Sequence, residues 1–99
     1  MRREKDIMLE IVKNRCGIAE SVTVYDTDIE LYIKDCLADM AASGVPERLV
    51  TNSDDYEGVV TAVSLYVKAY LGNDRTDTEK YLQLYRKKVF RLSLEEGGS

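Results

Sequence analysis

Residues 55–71, DYEGVVTAVSLYVKAYL, decide the fold. Tyr56, Val59, Val60, Val63, Tyr66, Val67, Tyr70 and Leu71 repeat at the i, i+3, i+4, i+7 spacing of one helical face. Ala62, Leu65 and Ala69 leave the opposite side hardly more polar, and between Gly58 and Gly72 the only charge is Lys68. A helix apolar nearly all round belongs in the middle of a domain. A membrane span would need about 20 apolar residues. This run is shorter and is flanked by Asp54, Asp55 and Glu57, so it reads as a central core helix over residues 54–71.

Working outward, the neighbouring stretches read as helices that pack on it. Residues 3–14 form a first helix with Met8, Ile11 and Val12 inward and Ile7 and Leu9 beside them, ended by Cys16-Gly17. Residues 18–25 are a connection, in part extended. Thr27-Asp28-Ile29-Glu30 fits a capping box opening a second helix. Its stripe is Ile29, Ile33, Cys36, Leu37, Met40 and Ala41, with Tyr32 at the edge. Gly44 closes this helix and Pro46 prevents its continuation. Residues 45–53 are a loop in which Leu49 and Val50 tuck down as a plug. The central helix begins at Ser53 or Asp54 and ends at Gly72, followed by the tight polar loop Gly72-Asn73-Asp74-Arg75. A second capping box, Thr76-Asp77-Thr78-Glu79, opens a last helix with Tyr81, Leu82, Tyr85, Val89 and Leu92 on its apolar side. The fold class is therefore all-α, a compact bundle of about four helices around a buried central one. Residues 1–94 make one domain, and 95–99 (EEGGS) a flexible tail.

Composition agrees. Across 99 residues, 44% hydrophobic and 32% charged content is that of a soluble domain with a densely charged surface. One proline and six glycines suit helices joined by short connections. No apolar h-region follows the charged start Met1-Arg2-Arg3-Glu4-Lys5-Asp6, so synthesis in the cytoplasm is expected, with no membrane segment. The net charge of −4 conceals a gradient: residues 1–15 carry +2, 16–79 carry −9, 80–91 carry +5, and Glu95 with Glu96 add −2. An acidic body argues against wrapping nucleic acid, which needs Lys and Arg on the phosphates. It suits a protein that meets partners by its ends.

Catalytic and metal chemistry find little support. There is no histidine, and the two cysteines, Cys16 and Cys36, lack metal-ligand spacing, so no metal and no cofactor are expected. Cys36 reads as a small buried thiol. Asp35 and Asp39, at i, i+4, could pair as catalytic carboxylates, but a solvated helix face explains them better. Asp54-Asp55 and Asp74 with Asp77 read as helix-start residues. No phosphate-cradling glycine loop or nucleophile elbow is present, so neither an enzyme nor a small-molecule substrate is expected. Two features remain. Tyr56, Tyr66, Tyr70, Tyr81 and Tyr85 fit the core or, alternatively, a subunit interface, where tyrosine is enriched. Arg86, Lys87, Lys88 and Arg91 complement the helix dipole, dock an acidic partner, or touch nucleic acid. A DNA-reading helix is disfavoured, because Asp77 and Glu79 at its start repel phosphate.

The ordered segments YDTDIELYIKDCLADMAASGV (25–45), GVVTAVSLYVKAYLGND (58–74) and TEKYLQLYRKKVFRLSL (78–94) carry a resemblance. Their pattern, with V-x-x-A-V-x-x-Y-V-K-A-x-x-G from Val59 to Gly72, resembles the phage head–tail connector (head-completion, portal-adaptor) family of tailed bacteriophages and prophages. The likeness covers residues 5–94. It implies a non-enzymatic structural protein, present in the host cytoplasm during assembly and then in the virion. It further implies self-association into a ring, a dodecamer being one candidate, under the portal vertex. Such a ring extends the DNA channel, passes DNA without sequence-specific binding, and joins the portal protein to a head–tail stopper or tail-completion protein. Carried over, it assigns Arg86, Lys87, Lys88 and Arg91 to portal docking. The alternative class is a small helical DNA-binding regulator or DNA-packaging accessory protein.

Overall fold

A computed structural model describes residues 4–71 and 75–95, and over these the chain is all-helical with no strand. Five α-helices follow in order: α1 (Glu4–Arg15), α2 (Asp26–Ala42), α3 (Glu47–Thr51), α4 (Glu57–Leu71) and α5 (Arg75–Ser93). A 3-10 turn at Ser53–Asp55 leads into α4. The expected loop 72–74, the tail beyond Glu95 and the N-terminal residues 1–3 lie outside the described residues.

The core is built on α4. Val59, Val60, Ala62, Val63, Val67 and Ala69 are all buried, and even Ser64 is enclosed. Its valines meet Met8, Leu9 and Val12 of α1, Ile29, Ile33, Cys36 and Met40 of α2, and Tyr85, Val89 and Leu92 of α5 in one apolar cluster. Burial in such a cluster stabilises each large side chain by roughly 1.5–3 kcal/mol. The pattern thus does what a helix apolar on all sides must: every face finds a neighbour. Gly58 marks the closest approach of α5, since a methyl group there would sit 3.0 Å from Leu92 Cδ2.

Of the three helices expected to end at glycine, the first two do so through the same device, and Gly72 lies outside the described residues. Gly17 and Gly44 adopt positive φ of 74° and 96°, where an L side chain is strained. The Gly17 N–H donates to the Asn14 carbonyl, and the Ile18 N–H to Lys13. In the same way the Gly44 N–H donates to Ala41 and the Val45 N–H to Met40. These paired bonds satisfy carbonyls that a helix end would otherwise leave open.

The helix starts depart from expectation. α2 begins at Asp26 after Tyr25, and no side-chain cap forms at its N-cap, so Thr27 sits inside the first turn. Asp26 has another occupation, an ion pair with the buried Lys13, Nζ to Oδ1 2.8 Å. Lys13 Nζ also donates to the Glu20 carbonyl at 3.1 Å, so one buried cation clasps the connection between α1 and α2. Likewise α5 already runs from Arg75, with Thr76 inside it. Thr78 Oγ1 donates to the Ala69 carbonyl at 2.9 Å, tying the start of α5 to the end of α4. The central helix begins at Glu57, later than Ser53 or Asp54, because Tyr56 is extended (φ −117°, ψ 114°). Residues 45–53, expected as a loop, contain the helical turn α3, and Leu49 is buried as the plug.

Candidate functional site

None of the described helices is long and apolar enough to cross a membrane, and no group of three or more metal-ligating side chains gathers among the described residues. What the molecule offers is surface, chiefly on α5. A helix turns by about 100° per residue, so consecutive residues point in different directions. Tyr85, Val89 and Leu92 take the inward face. Arg86 falls on one flank, where with Asp39, Ser43, Tyr85, Val89 and Phe90 it lines a groove against the end of α2. Lys87 and Arg91 are exposed on the outer and opposite side, and Lys88 is half-buried, turned toward Gly58. The four basic residues singled out in the sequence therefore form a belt around α5 rather than one patch.

Between them stand apolar residues that the sequence reading passed over. Phe90 is 65% exposed and Leu94 69%. Large apolar side chains beside cations, at the outer end of a helix, are the composition of a contact surface. No periodic signal marks them: Phe90 and Leu94 fall outside the inward stripe of Tyr85, Val89 and Leu92.

The tyrosines follow a different logic. Tyr32 stacks on Tyr70 with centroids 5.7 Å apart, Tyr70 meets Tyr66 at 4.7 Å, and Tyr66 meets the edge of Tyr85 at 5.1 Å. This row links α2, α4 and α5, and each such pair adds about 0.5–1.5 kcal/mol beyond area burial. It ends where the Tyr85 hydroxyl donates to Asp39 Oδ2 at 2.7 Å, beside the buried Cys36 thiol. Burial pushes the Cys36 thiol up to about 12 and the Tyr66 hydroxyl, also facing Tyr70, up to about 12. Tyr85 is raised as well, mainly by burial. These groups stay neutral and inert at ordinary pH. Tyr56 stands apart under the Arg48 guanidinium, which also donates to its hydroxyl at 3.3 Å. Tyr81 lies under Lys68, 5.9 Å from the ring centroid. Each of the five thus has an intramolecular partner, and Tyr70 in addition reaches the surface. The carboxylates Asp35 and Asp39 are exposed, with Asp39 engaged by Tyr85.

A family model described as phage connector protein matches residues 8–99. The chain belongs to the phage connector protein family. Membership gives it a structural connector role and a place in the virion among head and tail proteins. No curated protein and no solved structure matches it.

Proposed function

We propose that this connector forms a ring under the portal vertex, extends the DNA channel, and joins the packaged head to the next completion or tail protein. The observation that carries the reading is the family match over residues 8–99. Charge supports it: the segment 16–79 carries −9, and a negatively charged wall lets DNA slide without sticking. Of the basic residues expected to dock the portal, Arg86 has the most suitable setting, because Phe90 beside it supplies an apolar anchor at its groove. Arg86, Phe90 and Leu94 are the head-side contact, while Lys87, Lys88 and Arg91 point elsewhere.

The test is retention of DNA-filled heads by the tagged protein, with retained proteins identified by mass. A portal-sized ring protein is expected with the wild type. The exposed pair of changes Arg86→Glu and Phe90→Ala should abolish retention while the circular dichroism stays unchanged. Wild-type protein that retains nothing from assembled heads contradicts the reading, and undiminished binding by the variant contradicts the docking assignment.

A further inference from the structure

Two exposed helix stripes of this chain match each other in length, spacing and charge. On α5, Lys80, Leu84, Lys87 and Arg91 recur at i, i+4, i+7 and i+11, and all four are exposed. On α2, Asp28, Leu31, Asp35 and Asp39 recur at i, i+3, i+7 and i+11, and all four are exposed too. Both spacings keep a residue on one side of a helix. Taken along the chain, cation, leucine, cation, cation faces acid, leucine, acid, acid. Leu31 is 53% exposed, in a groove it lines with Ile33, Lys34 and Leu37, and Leu84 is 41% exposed. The α5 stripe does not line the groove that faces α2 of its own chain, where Asp39, Ser43, Arg86 and Phe90 meet.

We propose that the two stripes are the two halves of a contact between copies of this chain. α5 of one copy lies parallel to α2 of the next, with Lys80 at Asp28, Leu84 at Leu31, Lys87 at Asp35 and Arg91 at Asp39. The inference rests on the ring reading above and names the surfaces that close it. Asp39 already accepts from Tyr85 through Oδ2, which leaves its second oxygen for Arg91. Asp77, one turn before Lys80, falls opposite Tyr25, the residue just before α2, rather than another acid. Lys34 lies on the neighbouring face of α2, outside the row. Because the two surfaces differ, the contact is heterologous: repeated, it makes a ring where the rotation closes and an open filament where it does not. Each stripe is about 17 Å long. That is the scale of a weak interface, below about 1,200 Å² in total, so copies associate measurably in solution at high concentration.

Sedimentation velocity over a concentration series tests this, paired with carbodiimide cross-linking, which joins a carboxylate to a touching lysine. Wild-type protein should sediment faster as concentration rises, less so in high salt, and yield an intermolecular Asp35–Lys87 cross-link. Lys87→Asp and Asp35→Lys should each lower association at least tenfold, and the double swap should restore it. Both substitutions are on exposed residues, and circular dichroism checks that the fold persists. A wild type that stays monomeric and uncross-linked at every concentration overturns the proposal, as do single variants that associate like wild type or cross-links mapped elsewhere. None of these failures touches the head-retention result, so the connector reading stands or falls separately.

Discussion

α4 and α5 pack against each other along most of their length, yet they do opposite things with their surfaces. α4 meets α1, α2 and α5 and encloses valines and alanines around its circumference, down to the hydroxyl of Ser64. α5 commits only Tyr85, Val89 and Leu92 to the core and presents Leu84, Arg86, Lys87, Phe90, Arg91 and Leu94 outward. A helix touched by α1, α2 and α5 sets the fold and has little surface left for a partner, chiefly at Tyr70. A helix packed on one side has a face to spare, and that face is where the proposed contacts are placed. Changes in α4 should therefore register as lost stability, and outward changes in α5 as lost association.

The largest effect should come from Val63→Asp, which places an unpartnered charge where exposure is nil. It should cost more than about 4 kcal/mol and leave no cooperative thermal transition. A pair of leucines within α5 sharpens the contrast. Leu92→Ala, on the inward face, should lose about 2–5 kcal/mol in urea titration. Leu84→Ala, on the outer face, should stay within about 0.5 kcal/mol and instead weaken self-association. Equal losses at the two would erase the division. Tyr85→Phe removes the hydrogen bond to Asp39 and should cost about 1 kcal/mol, without affecting head retention. Smallest at neutral pH is the titration effect. Cys36 and Tyr66 are held neutral to about 12 in the folded protein. A pKa raised by folding stabilises fully below the unfolded value and progressively less above it. Stability should thus be indifferent to these groups up to pH 9, the ordinary value for the thiol, and fall between 9 and about 12. Stability that stays level between pH 9 and about 12 would mean that the thiol is not sealed beneath Tyr85.

The central helix was legible because its signal is collective: eight apolar positions on one face and small residues opposite admit one solution. Gly17 and Gly44 were legible because a helix end at positive φ strongly favours glycine. The starts of α2 and α5 misled, since a Thr-x-x-Glu spacing also occurs inside a first turn, and Asp26 and Thr78 were recruited by Lys13 and by the Ala69 carbonyl. Nothing local marks Lys13 as buried; its partners lie 7 and 13 positions away. The basic residues of α5 were visible as a run, but only the helix shows that Arg86 parts company with Lys87 and Arg91. Phe90 and Leu94 carry no such sequence signal, because two exposed apolar residues outside the inward stripe follow no periodic pattern.

The central claim is that this chain is a structural part of the particle, and quantitative mass spectrometry of gradient-purified virions tests it most directly. The account predicts the protein in every particle preparation, at a fixed ratio to the portal protein that survives washing at moderate salt. Its absence from infectious virions, or a ratio that falls toward zero as purification proceeds, would contradict it.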